Sequence, residues 1–220
     1  MILKKIRQLG LSYFAVVIIP FNQAEWKSLE YSKIRPNKVE YSNGMNSSLK
    51  LNIDHSASPP IYKLDKALLV KSLSFKGKIA GRLNFQQKIQ GETGADDFSV
   101  RVGVVIEGNK TLNFMQKMIT PRWIKELYSL GNGNTGIDRI EFFNISNSKL
   151  TWQQRIHPLS DLIKENIVAV MDTGDFEVKY NFDKSVKVVA IWVSSDGDDT
   201  KSKYEVNFSQ IALYDDLSVP

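Results

Sequence analysis

The run Phe98-Ser-Val-Arg-Val-Gly-Val-Val-Ile106 constrains this chain more than any other segment. Side chains on a strand alternate between faces. Phe98, Val100, Val102, Val104 and Ile106 therefore form one apolar row, and Ser99, Arg101, Gly103 and Val105 share the other side. A helix would scatter that row around its circumference, so the segment reads as a strand with one face in a core. The habit recurs in Val39–Tyr41, Leu49–Ile53, Arg82–Lys88, Arg139–Ile145, Leu150–Ile156 and Phe176–Phe182, bounded mostly by polar or glycine-containing turns. Val186–Ser194 is almost continuously apolar, the pattern of a strand buried on both faces. Tyr204, Val206, Phe208, Ile211 and Leu213 mark a last strand, and the break in spacing at Gln210 predicts a bulge.

Two segments follow the helical period instead. Pro121–Leu130 carries Trp123, Leu127 and Leu130 at helical spacing and ends at Gly131. Pro158–Asn166 opens with proline and places Leu159, Leu162 and Ile163 on one side. Many short strands with two short helices predict a mostly β fold, a β-sandwich of jelly-roll type.

The N-terminus reads as a signal peptide. Lys4, Lys5 and Arg7 precede an uncharged stretch from Leu9 to Phe21, and Asn22-Gln23-Ala24 offers a small residue to cut after. The apolar stretch falls short of the roughly 20 residues a membrane span needs. The expectation is a leader over residues 1–24 and a single domain over 25–220, exported to the periplasm or beyond in a bacterium. The whole chain has 29 Lys+Arg against 24 Asp+Glu. Three of those basic residues lie in the leader, so the remainder is close to neutral, without a dense basic run to suggest nucleic acid. With no cysteine, disulfides, thiolate metal sites and cysteine nucleophiles are excluded.

Familiar catalytic signatures are missing. His55 and His157 stand in no metal-ligand spacing, and each reads as an exposed or hydrogen-bonded histidine. Gly131-Asn-Gly-Asn-Thr-Gly136 matches the letters of a dinucleotide loop, but a helix precedes it and a strand follows, the reverse of what phosphate binding requires.

Two acidic segments carry what chemistry there is. Asp96-Asp97 opens the clearest strand, and Asp196-Gly-Asp198-Asp199-Thr200 lies in the loop before the last one. Arg101 faces away from the apolar row, so it is either solvated or a buried charge in need of a partner, with Asp97 or another carboxylate the natural candidate. Asp196, Asp198 and Asp199 could supply oxygens to Ca²⁺, although the spacing is not that of an EF-hand; Asp-Gly is equally a preferred turn. Asp96 and Asp97 point to opposite faces and make a poor catalytic pair for glycoside hydrolysis. Trp152, beside Gln154 and Arg155, could stack on a sugar or simply pack.

These residues resemble a family of uncharacterised exported bacterial proteins, a domain of unknown function. Its hallmarks are an Asp-Asp-Phe-x-x-Arg strand, a Trp-to-Arg-to-Asp segment and a near-terminal Asp-x-Asp-Asn-Thr loop. This chain has Asp96-Asp97-Phe98-Ser-Val-Arg101 for the first and Trp152, Arg155 and Asp161 for the second, with a shortened Trp-to-Arg spacing. For the third it has Asp196-Gly-Asp198-Asp199-Thr200, with Asp199 in place of Asn. The resemblance implies a β-sandwich in which Asp97, Arg101, Arg155, Asp196 and Asp198 form one charged constellation. The expectation is a non-catalytic binding domain for carbohydrate or another envelope component, with Ca²⁺ as a candidate ion. The alternatives are a polysaccharide hydrolase or lyase, and a structural protein whose Asp/Arg network is buried.

Overall fold

The computed structural model describes residues 13–44, 47–131, 135–158 and 160–217. It is mostly β. The strands are β1 (Tyr13–Ile18), β2 (Trp26–Ser28), β3 (Lys38–Ser42), β4 (Ser48–Asp54), β5 (Pro60–Gly81), β6 (Val100–Gly108), β7 (Gly136–Ser146), β8 (Gln154–Ile156), β9 (Ile163–Val170), β10 (Gly174–Ser194) and β11 (Lys203–Leu217). Helices α1 (Phe114–Ile119) and α2 (Arg122–Ser129) interrupt them between β6 and β7. The strands run in the order β3-β4-β11-β5-β10-β6-β7-β9-β8, with β1 beside β11 and β2 beside β5.

Two strands turn this one hydrogen-bonded surface into a sandwich. β5 and β10 have 22 and 21 residues, roughly 70 Å at about 3.3 Å per residue, too long for one layer. They pair with each other along most of their length and bend from one layer into the other. At the bend the register slips, from Asn181 opposite Ser72 to Val186 opposite Val70, which leaves extra residues on β10. The first layer holds β3, β4, β11 and the early half of β10; the second holds β6, β7, β9 and β8 with its late half. Phe143 on β7 meets Tyr180 and Phe182 of the early β10 at 4.3 and 5.7 Å between ring centres, so the layers close face to face. Trp26 of β2 likewise meets Tyr41 of β3 at 6.3 Å.

Strand alternation does what the sequence predicts. Leu49, Leu51 and Ile53 are buried on β4, and Val100, Val102, Val104 and Ile106 on β6. On β11, Tyr204, Val206 and Phe208 point inward, a register shift falls between Phe208 and Gln210, and Ile211 and Leu213 point inward again. The shift lies where the spacing predicts it.

Other expectations are corrected. Pro158–Asn166 is not a helix. Tight turns precede β9, with Ser160 N–H donating to His157 O at 3.1 Å and Ile163 N–H to Ser160 O at 3.2 Å, and Ile163–Val170 is strand β9. β9 runs parallel to β7, and its β-branched residues fill a vacant sheet position that no local pattern reveals. The short helix α1 arises where none is expected. Arg82–Lys88 lies beyond the end of β5 and is not a strand, and only Gln154–Ile156 of Leu150–Ile156 pairs. The runs Phe176–Phe182 and Val186–Ser194 are two halves of β10.

At the N-terminus, β1 pairs antiparallel with the end of β11. Ile19 and Phe21 are 1% and 2% exposed, and the Trp26 indole N–H donates to Pro20 O at 2.8 Å. The basic start of the expected leader, Leu159, and residues 132–134 of the glycine-rich loop lie outside the described residues. No helix among the described residues is long and apolar enough to cross a membrane.

Candidate functional site

The outer face of the second layer carries a second apolar cluster, formed by Val105, Ile140, Phe142, Ile163 and Trp192 under Leu127 of α2. Gly103 permits this packing: a Cβ there would lie 2.7 Å from the Phe142 ring. At one end of the face the apolar surface gives way to charge. A cleft of about 310 Å³ opens there, walled by Tyr31, Trp123, Phe142 and Trp192, with Asp96, Arg101 and Asp196 among its polar residues.

Arg101 is the hub. Alternation on β6 turns it away from the sandwich core, and the cluster on this face covers it to 13% side-chain exposure. Its Nη1 donates to Asp196 Oδ2 at 3.1 Å, and its Nη2 donates to Asp96 O at 3.0 Å and lies 3.3 Å from Glu165 Oε1. The guanidinium carbon sits 4.6 Å from the Phe98 ring centre. Arg155 on β8 is the second cation. Its Nε donates to Glu165 Oε2 at 2.6 Å, its Nη2 to Asp96 Oδ1 at 2.6 Å and its Nη1 to Gly91 O at 2.5 Å. Gly91 has φ +88°, and a Cβ on it would meet Trp152 at 3.1 Å and the Arg155 guanidinium at 3.4 Å. His157 Nε2 lies 2.9 Å from Asp96 Oδ2; since an ionised carboxylate only accepts, that nitrogen carries the proton.

The carboxylates differ in state because their partners differ. Burial pushes Asp96 up, but Arg101, His157 and Arg155 outweigh it and hold the carboxyl at about 2. Burial pushes Asp196 up to about 7, helped by the charges of Asp97 and Asp198 and opposed by Arg101 and the Ser194 hydroxyl. Asp198, in the loop before β11, is raised to about 6, first by burial and then by the charges of Asp97 and Asp199. Asp97 is raised by burial, partly offset by the Thr200 hydroxyl and amide, which donate to its Oδ2 at 2.6 and 2.7 Å.

The structure thus brings together Asp96, Arg101, Arg155 and Asp196, with Asp198 and Asp199 along the same cleft. Asp97 is not the partner of Arg101. It ties the start of β6 to Thr200, while the Asp199 carboxylate accepts from the Asp96 amide at 3.3 Å, so the two acidic segments are stitched directly together. Trp152 is a packing residue: its ring lies 4.2 Å from the Arg155 guanidinium and 6.4 Å from the Phe98 ring. Asp161 is exposed in the turn before β9 and stands outside the cluster, near enough to Tyr128 only to raise its pKa.

The donor set does not fit Ca²⁺. Asp196 turns to Arg101 and to the Ser194 hydroxyl, the latter at 2.6 Å, and Asp199 turns to the Asp96 amide. Among the described residues, the donors that converge are Asp96, His157 and Glu165, within 4.8 Å of one another. One of them is an imidazole, and two guanidiniums already hold the carboxylates, whereas calcium takes six to eight oxygens.

Glu165, His157, Tyr31, Trp123 and Phe142 were not singled out by sequence as site residues. Glu165, 1% exposed at its side chain, is hidden by the helical reading of its segment. Read as a strand, Ile163-Lys-Glu-Asn166 makes it a buried carboxylate in search of a cation.

No family model matches the chain, and no curated protein matches it. Among solved structures, it is similar to the enzymatically active domain of tailspike protein 4 of bacteriophage CBA120 (8% identity, TM-score 0.39, 88% of this chain and 20% of that one). It is also similar to the glycoside hydrolase domain of Endo-D from Streptococcus pneumoniae R6 (13% identity, TM-score 0.30, 86% of this chain and 21% of that one). A carbohydrate-binding module studied for specific mannan recognition is similar at 15% identity and TM-score 0.35, over 90% of this chain and 97% of that one. The chain spans about a fifth of the first two structures. At these scores function rests on the cleft itself.

Proposed function

We propose that this chain is an exported, non-catalytic binding domain that takes a carbohydrate into the Arg101–Asp196 cleft. The observation that carries the reading is the composition of that cleft. About 310 Å³ is room for a sugar residue, and Trp123, Trp192 and Tyr31 offer flat apolar faces beside a rigid set of carboxylates and a guanidinium. Sugars present this same combination, an apolar ring face edged by hydroxyls. Export rests on the basic, apolar and small-residue pattern of residues 1–24, a segment whose strand β1 and buried Ile19 and Phe21 pack onto the domain in the uncleaved chain.

The test is a glycan array probed with the folded chain and with Trp123→Ala. The reading predicts binding of at least one glycan class that the variant loses while it remains folded at the assay temperature. Retained binding in the variant would move the site elsewhere, and no binding across the array would leave the charged cluster a structural device.

A second reading, a polysaccharide hydrolase or lyase, is favoured by the raised Asp196 and Asp198 in the same cleft, since perturbed carboxyls are what a general acid requires. Release of reducing ends or unsaturated sugars, lost in Asp198→Asn, would establish it.

A further inference from the structure

The cleft is too acidic for a neutral occupant to balance. Asp96, Asp97, Asp196, Asp198 and Asp199 line it against Arg101 and His157. Glu165 and Arg155 stand directly behind. With all six carboxyls ionised and His157 protonated alongside the two arginines, this set has three negative charges in excess, and protonation of Asp196, which burial raises to about 7, still leaves two. Asp96 and Glu165 are matched by the two arginines. The excess therefore falls on the loop before β11, where Asp198 makes no ion pair among the described residues. Lys201 donates to the Asp198 main-chain oxygen at 2.6 Å. The Asp198 carboxyl is raised first by burial and then by the charges of its neighbours Asp97 and Asp199.

The walls favour the same partner as the carboxylates do. Tyr31, Trp123, Phe142 and Trp192 enclose the space in front of them, and the negative face of an aromatic ring attracts a cation, Trp most strongly. Aromatic walls joined to unpaired carboxylates suit an ammonium group and repel uronic, sialic or sulfated sugars.

Building on the carbohydrate reading above, we infer that the group seated in this cleft is an amino sugar bearing a free ammonium, its charge facing Asp198 and its ring lying against Trp123. A neutral sugar leaves the acidic excess as it was. A protonated amine offsets one charge, adds hydrogen-bond donors for carboxylate oxygens that can only accept, and keeps the apolar ring face for the indole.

The experiment is a calorimetric titration of the folded chain at pH 6.5 with four probes: a glucosamine tetramer, its fully N-acetylated counterpart, a neutral glucose tetramer and the diamine putrescine. The glucosamine tetramer is expected to bind at least about tenfold more tightly than the acetylated and neutral tetramers, the scale of one desolvated cation–π and charge contact. Asp198→Asn should remove most of that preference, while Asp161→Asn, outside the cleft, should keep it. Thermal unfolding of both variants shows that they are folded. Equal or tighter binding of the acetylated or neutral tetramer would overturn the inference and leave the carbohydrate reading standing. Putrescine binding without any tetramer would overturn the sugar and leave only an amine site. No binding by any probe would overturn the inference, and the glycan array then decides the carbohydrate reading separately.

Discussion

Replacing Arg101 with methionine tests the charged network at its hub. Methionine keeps most of the apolar stem against Phe98 and removes the guanidinium. The consequences are unequal. Glu165 keeps Arg155 Nε at 2.6 Å and Asn144 Nδ2 at 3.0 Å. Asp96 keeps Arg155 at 2.6 Å and His157 at 2.9 Å. Among the described residues, Asp196 keeps the Ser194 hydroxyl at 2.6 Å as its one side-chain partner. One buried carboxylate is stranded, which costs about 3–5 kcal/mol, a large fraction of the roughly 5–15 kcal/mol that holds a domain together. The cost must depend on pH. Asp196 already has a folded pKa raised to about 7 by burial, above the unfolded carboxyl value. A group of that kind contributes stability that is full below the unfolded pKa and lost as pH rises through the folded one. Without Arg101 the folded value rises further, so at pH 5 Asp196 is neutral and much of the penalty disappears. Urea unfolding of the native chain and Arg101→Met at pH 5 and pH 8 measures both limbs. The expected loss is about 3–5 kcal/mol at pH 8, distinctly smaller at pH 5, and largely recovered in the double variant Arg101→Met/Asp196→Asn. A loss under about 1 kcal/mol at pH 8, or one equal at both pH values, would refute the reasoning.

Further outcomes follow from the same geometry. In the native chain, the Asp196 and Asp198 contributions are gained on lowering pH from 8 towards 5, whereas that of Asp96, held at about 2, is lost as pH falls from about 4 towards 2. Thermal scans should show both limbs, with Asp196→Asn flattening the upper one. Gly103→Ala forces a methyl within 3 Å of Phe142 and Ile140 and should cost about 1–3 kcal/mol in chemical denaturation; a neutral result would mean the rings move aside freely. A chain beginning at residue 25 lacks β1 and the buried side chains of Ile19 and Phe21, each worth about 1.5–3 kcal/mol. It should unfold at lower denaturant than a chain beginning at residue 13, and equal midpoints would show that the segment is dispensable to the fold.

Sequence by itself determined the elements whose burial is local in origin. Period two in Phe98–Ile106 and Leu49–Ile53 fixes which side chains face the core because any strand, whatever its neighbours, sends alternate residues to opposite faces. The interrupted spacing at Gln210 located a register shift for the same reason. Helix α2 was legible from Trp123 and Leu127. The family resemblance put Arg101, Arg155 and Asp196 in one charged constellation with Asp97 and Asp198, and left Asp97 with the wrong partner, since Asp96 and Glu165 are the carboxylates that meet both arginines. Tertiary structure decided the rest. Leu162 and Ile163 are compatible with either period, and the parallel slot beside β7 settles the matter in favour of a strand, which is what delivers Glu165 to Arg101 and Arg155. β5, with lysines along much of its length, shows no clean alternation because its two halves lie in different layers and face different neighbours. The cleft itself belongs to no single segment. Tyr31, Trp123, Phe142 and Trp192 come from four parts of the chain, and only folding brings their rings around one unbalanced set of carboxylates. Proximity across more than a hundred residues leaves no local periodicity to read, so the site appears only in three dimensions.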